Sequence, residues 1–126
     1  MGQFRVQPVL LSTKRMSPVI EYATYGIQLL NVPHAADLAR ECIAEDCYQI
    51  KGLQGRWAVA DIGACYGEFA FFAKALGHYV LAVEPSFLSH RILTFNERLC
   101  GQLAICGNYA VRGHADGGMV KHWYRP

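Results

Sequence analysis

The chain has 126 residues, of which 52% are apolar and 17% charged, and its formal net charge is +2. That length holds one small domain, and the apolar content is enough to bury a core, which excludes a disordered chain. A charge so close to zero, with no run of Lys or Arg, excludes the electrostatic footprint of a protein that binds nucleic acid or an anionic membrane.

Residues 1–50 form a lead-in segment. Its first stretch, "MGQFRVQPVLLSTKRMS", lacks a signal-peptide pattern because Gln7 and Pro8 interrupt a short apolar run. Val6 stands where a myristoylation signal needs Ser or Thr, and no apolar stretch approaches a membrane span. A cytoplasmic location is therefore expected. "VIEYATYGIQLL" is rich in Val, Ile, Tyr and Thr, which favour extended pleated chain. From Pro33 to Cys47 the spacing turns helical, with Ala35, Leu38, Ala39, Cys42 and Ile43 on one face. "YQI" and "KGLQG" predict a short extended piece and a glycine turn.

From residue 51 to 126 the pattern is regular. "WAVAD" predicts a strand, and Gly67–Leu76 a helix with Phe69, Phe72, Ala73 and Leu76 as its buried stripe. Gly77 stands where a left-handed helix end is wanted. "YVLAV", apolar throughout, predicts a parallel strand covered on both faces. Pro85 and Ser86 open a third helix with the stripe Leu88, Ile92, Phe95 and Leu99, and Gly101 follows its end. "QLAIC" predicts a third strand and "MVKHWY" one more short strand. The fold class expected is α/β: a Rossmann-like βαβαβ parallel sheet with right-handed crossovers.

In such a sheet, ligands bind beyond the carboxyl ends of the strands. Asp61-Ile62-Gly63-Ala64-Cys65-Tyr66-Gly67 lies at one strand end, and Glu84 ends the next, 23 residues after Asp61. Gly63 permits a sharp turn, Gly67 lets the helix begin close to a ligand, and a strand-end acid can accept both hydroxyls of a ribose. A dinucleotide fingerprint, G-x-G-x-x-G, would need glycine at 65 and 68, where Cys65 and Glu68 stand. Glu68 and Asp61 put negative charge where a pyrophosphate would sit. S-adenosylmethionine has no phosphate and carries an ammonium and a sulfonium, so the charge pattern favours it.

"ADIGACYGEFAFFAKALGHYVLAVEPSFLSHRILTFNERLCG" resembles the start of an FkbM-type methyltransferase domain, with its aspartate, G-A-x-x-G turn, aromatic helix, E-P pair and following Asn, here Asn96. The resemblance covers about Ala39 to Val120. It implies the first part of a class I methyltransferase fold, S-adenosylmethionine as donor, and a hydroxyl on a sugar or other natural product as acceptor. It implies that Asp61, Gly63, Ala64 and Gly67 line the methionine side of the cofactor, that Glu84 holds the ribose hydroxyls and that Pro85 shapes that turn. The sequence departs from the family after the third strand, where an A-V/L-S-D step is replaced by Arg112 and Gly113. The later strands of the fold are expected to be missing from this chain, which leaves the first strand as an open edge that invites oligomers. Two alternatives remain: a degenerate, non-catalytic domain with an interaction role, and an NAD-type binding module.

Around this site other roles stay open. Asp61 suits a structural cap as well as ligand contact, Tyr66 suits either covering the cofactor or packing, and His114 or Asp116 are candidate bases. Phe69, Phe71 and Phe72 are expected in the core. Five cysteines at irregular spacings, without a CxxC pair, predict free thiols rather than a disulfide framework or zinc site. The scattered histidines carry no metal pattern.

Overall fold

The structure is a computed structural model that describes residues 17–101, 105–108, 110–113 and 119–122. Strands β1 (Val19–Tyr22) and β2 (Ile27–Leu30) form an antiparallel hairpin, with Val19 opposite Leu30 and Tyr22 opposite Ile27. Gly26, at φ +66°, closes the turn between them. The helix expected from Pro33 begins only at Ala35, because His34 takes a left-handed φ of 69°. It is α-helical over α1 (Ala35–Ala39) and widens into a π-helical turn over Arg40–Ala44. The extended piece expected at "YQI" is instead a 3-10 turn, Ile50–Gly52. The Asp46 carboxylate accepts the N–H groups of Ile50 and Lys51 at 2.9 and 3.2 Å and holds that turn with Ile50 in the core.

A three-stranded parallel sheet follows: β3 (Ala58–Ile62), β4 (Tyr79–Val83) and β5 (Ile105–Gly107), in the order β3-β4-β5. Ile62 pairs with Val83, and Val83 with Gly107, so the three strand ends are level. Helix α2 (Glu68–Ala75) links the first two strands and α3 (Phe87–Cys100) leads from the second to the third. Gly77 and Gly101 follow their helices with φ of 96° and 60°, as expected. The chain is thus a mixed α/β protein. "MVKHWY" contributes β7 (Met119–His122), which pairs antiparallel with β6 (Ala110–Gly113), a strand that the sequence does not announce. His114 and Asp116 lie outside the described residues. Among the described residues no helix is long and apolar enough to cross a membrane.

Two expectations of burial are corrected. "YVLAV" is covered on one face only: Val80 and Ala82 are buried, whereas Tyr79 and Leu81 are 57% and 38% exposed. The same face of β3 carries exposed Ala58, Ala60 and Ile62. A concavity of about 310 Å³ lies over the first three residues of β3 and β4, away from their carboxyl ends. The expected stripe of α3 is also displaced, because Leu88 and Phe95 are exposed and Leu93 and Asn96 are buried. Hydrogen bonding selects that face. Asn96 Oδ1 accepts the Leu30 N–H at 2.8 Å, and the Cys100 thiol donates to the Gln28 carbonyl at 3.2 Å. In α2 Phe72 and Ala73 are buried as expected, but Phe69 and Leu76 are only half-buried and Ala70 and Phe71 are buried as well, because the helix packs against β4 on one side and the π-helical turn and β2 on others.

One core runs through the lead-in segment and the sheet. Ile27, Leu29, Ile43, Phe71, Phe72 and Leu93 are at most 1% exposed. Burying each such side chain contributes about 1.5–3 kcal/mol. The hairpin packs on α3 and α2, and among the described residues β3 pairs only with β4. Its open edge, flanked by Ala58 and Ala60, predicts pairing with a second copy of the chain. Sedimentation is expected to report oligomers, shifted toward monomer by Ala60→Lys; a monomeric wild-type chain rules this out.

Candidate functional site

The loop between β3 and α2 is built from alternating left-handed positions. Gly63, Cys65 and Gly67 have φ of 81°, 53° and 95°. Glycine suits the first and last. Cys65 sits in a conformation that costs a side-chain-bearing residue on the order of 1–2 kcal/mol, and the sequence gives no sign of it. The cost is met by hydrogen bonds that tie the loop to β4. The N–H groups of Gly63 and Ala64 both donate to the Val83 carbonyl, at 2.8 and 3.0 Å. The Cys65 N–H donates to Glu84 Oε1 at 2.8 Å.

Glu84 is brought to the loop, as expected, and is 7% exposed. Its second oxygen, Oε2, accepts the Ser86 N–H at 2.8 Å. Its carbonyl accepts from Asn108 Nδ2 at 2.9 Å, and Asn108 also reaches the Pro85 carbonyl at 3.3 Å. Each carboxylate oxygen can accept two bonds, and among the described residues each takes one, from a backbone N–H. Pro85 thus lies in a short turn pinned from both sides before Ser86 caps α3.

The two glycines of the loop serve different ends. A Cβ on Gly63 would meet no atom within 4 Å, so the space above it is open. A Cβ on Gly67 would lie 2.2 Å from Phe71 Cε2 and 2.7 Å from Leu93 Cδ1. Gly67 is small because the core beneath it is full. Ala64 is buried, and its carbonyl accepts the Gly67 N–H at 2.9 Å.

Asp61 and Glu68 converge on the start of α2. Burial pushes the Asp61 carboxyl up to about 6, with the Glu84 charge adding to the rise and the Ala70 N–H opposing it. Glu68 is pushed up to about 7, again by burial, with the charges of Asp61 and Glu84 adding to it and the N–H groups of Glu68 itself and Tyr66 opposing it. Among the described residues Asp61 Oδ2 and Glu68 Oε2 are buried without a partner. Burial also lifts the Cys65 thiol to about 11, so it stays protonated and is no nucleophile. Tyr66 sends its hydroxyl to the Pro33 carbonyl at 3.5 Å, and its own carbonyl accepts from Asn96 Nδ2 at 2.9 Å.

The arrangement is poor for phosphate. A phosphate cradle needs free N–H groups at the helix start. Here the N–H groups of residues 63–67 are directed to carbonyls and carboxylates of the chain, and three acids surround them. No Lys, Arg or His appears among the groups that act on Asp61 or Glu68. Among the described residues no group of three or more His, Cys, Asp or Glu is placed to hold a metal ion.

The sequence pointed to Asp61, Gly63, Ala64, Gly67, Glu84 and Pro85; Asp61 lies near the end of β3, and the other five lie on the two adjacent turns that follow β3 and β4. It missed Asn108, whose contribution shows only in three dimensions. Compared with known proteins, the chain matches no family model, no curated protein and no solved structure.

Proposed function

We propose that the chain is the cofactor-binding part of an S-adenosylmethionine-dependent methyltransferase of Rossmann-like, class I type, acting in the cytoplasm on a hydroxyl of a sugar or other natural product. The supporting observation is the loop of residues 63–67, where the N–H groups of Gly63, Ala64, Cys65 and Gly67 are bonded within the chain and where, among the described residues, the charges that act are those of Asp61, Glu68 and Glu84 without a cation. Asp61 Oδ2 and Glu68 Oε2 suit the ammonium, the open space at Gly63 suits the body of the ligand, and the Glu84 carboxylate suits ribose hydroxyls. The sulfonium, when bound, supplies an activated methyl group for transfer to the acceptor oxygen. The chain's own part is to orient the donor by charge and to exclude water from it.

A second reading is favoured by Glu84 itself. Its carboxylate is only 7% exposed and clamps two turns together, as a structural latch would. On that reading the domain is non-catalytic and serves an interaction role. The NAD-type module is disfavoured by the same acids.

Equilibrium titration separates these. Labelled S-adenosylmethionine is expected to bind and NAD is not. Glu84→Gln, which keeps one acceptor oxygen, is expected to lose at least about tenfold in affinity, since a charge-assisted bond contributes about 1.5–3 kcal/mol. Unchanged affinity removes Glu84 from the ribose, and absence of binding to the wild-type chain leaves the non-catalytic reading.

A further inference from the structure

The two orphaned carboxyl oxygens have a consequence of their own. Asp61 is the last residue but one of β3, and Glu68 is the first residue of α2. Each carboxyl spends part of its capacity on N–H groups near the helix start, and each has one oxygen that meets neither protein nor solvent. Glu68 is 6% exposed. An ionised carboxylate so placed costs several kcal/mol unless a charge balances it.

Among the described residues no Lys, Arg or His, including those of α3, acts on either carboxyl. β3 brings Asp61, and the end of β4 brings Glu84, both acids. The loop of residues 63–67 brings Cys65 and Tyr66, and the π-helical turn and the segment after it bring Cys42 and Tyr48; burial pushes Cys65, Tyr66 and Cys42 up, and the neighbouring Cys42 and Cys47 push Tyr48 up. β2 carries no titratable residue. Arg40 is turned outward to Asp37 and Glu45, Lys51 stands over the rings of Tyr25 and Phe72, and Lys74 over Tyr79.

We infer that this site takes its cationic ligand by exchange, the ligand's ammonium replacing a proton that the ligand-free chain holds on the Asp61–Glu68 pair, mainly on Glu68. This rests on the function proposed above and specifies its regulation: occupancy follows intracellular pH. In the ligand-free chain the proton removes a buried charge. When a cation arrives between the two oxygens, both carboxylates are better charged, and the proton leaves to solvent. The raised values of both carboxyls agree with this, and because the two interact, the proton belongs to the pair.

Linkage fixes the sign. Below neutrality the ligand must displace a proton, so affinity for S-adenosylmethionine rises with pH, by about tenfold or more between pH 5.5 and 7.5 for one proton exchanged. The ligand-free fold shows the opposite trend. Its acids bind protons more tightly than in the unfolded chain, so their contribution to stability is complete below the unfolded carboxylate range and is lost as pH rises through about 6 and 7.

The test is calorimetric titration of the full chain with S-adenosylmethionine at pH 6.5, in two buffers of different ionisation enthalpy, which counts protons released. We expect release of half a proton or more, abolished in Glu68→Gln, and no pH slope for 5′-methylthioadenosine, which lacks both cationic groups. Binding that releases no proton and is flat from pH 5.5 to 7.5 overturns the exchange while the proposed function stands. No binding at any pH overturns both. Carboxyl carbon NMR of the ligand-free wild-type chain needs neither ligand nor variant, and a Glu68 resonance that titrates below pH 5 overturns the exchange by itself.

Discussion

Gly67→Ala is expected to remove a large part of the chain's stability. The new methyl group would enter space held by the Phe71 ring and the Leu93 side chain, both fully buried, at 2.2 and 2.7 Å. The ring cannot retreat, because Phe71 belongs to a core that also holds Phe72, Ile43 and Leu29. Overpacking of this kind costs about 1–3 kcal/mol or more, and a left-handed alanine adds roughly 1–2. The sum is a large part of the 5–15 kcal/mol, in round terms about 10, that holds a small domain together. Gly63→Ala is the control. It carries the backbone strain without the clash, since no atom lies within 4 Å of its Cβ position. Thermal unfolding followed by circular dichroism is expected to show cooperative transitions for both, with Gly67→Ala melting well below Gly63→Ala. Equal transitions for the two would mean that the core beneath Gly67 is not packed as described.

Asn96→Ala is the second large effect. Asn96 is fully buried on α3 and bonds two other elements: Oδ1 takes the Leu30 N–H of the hairpin, and Nδ2 gives to the Tyr66 carbonyl of the glycine loop. Alanine leaves two partly buried backbone groups unpaired, at about 1–3 kcal/mol each. A fall in melting temperature of roughly 10–20 °C follows for a domain of this size. Asn96→Asp distinguishes the two bonds, because it keeps an acceptor for Leu30 and sets a carboxylate against the Tyr66 carbonyl. It is expected to be as damaging as alanine. A melting temperature within about 3 °C of wild type for either variant, below the shift that 1 kcal/mol produces, rules out the bridging role.

These residues also mark what a sequence can and cannot reveal. The glycine turn, the strand-end acid and the helix ends were legible, because each rests on a local rule: positive φ at Gly77 and Gly101, a serine cap at Ser86, an acid closing a strand. The positions of Gly63 and Glu84 on adjacent turns follow from parallel pairing of their strands. The faces of the elements were not legible. Helix α3 offers an apolar stripe through Leu88 and Phe95, yet it turns inward along Leu93, Asn96 and Cys100 because the hairpin supplies hydrogen-bonding partners there. Periodicity counts apolar residues and is blind to a buried amide that bonds two backbones. "YVLAV" failed for a related reason. Its uniform apolarity reads as cover on both faces, but in the described residues Tyr79 and Leu81 face outward, with Arg56 over the Tyr79 ring at 4.6 Å. The left-handed Cys65 and the wide turn at Arg40–Ala44 are set by tertiary bonds and packing, and no residue type announces them.

The bond between Leu30 and Asn96 spans 66 residues. During synthesis at about 5–20 residues per second, the hairpin leaves the ribosome several seconds before the helix that covers it. For that interval Ile27 and Leu29 have no lid, and the nascent chain offers an apolar ribbon to any chaperone in reach. Slower translation between the two segments lengthens this exposure, so the yield of folded chain should depend on codon speed in that stretch as well as on the finished fold's stability.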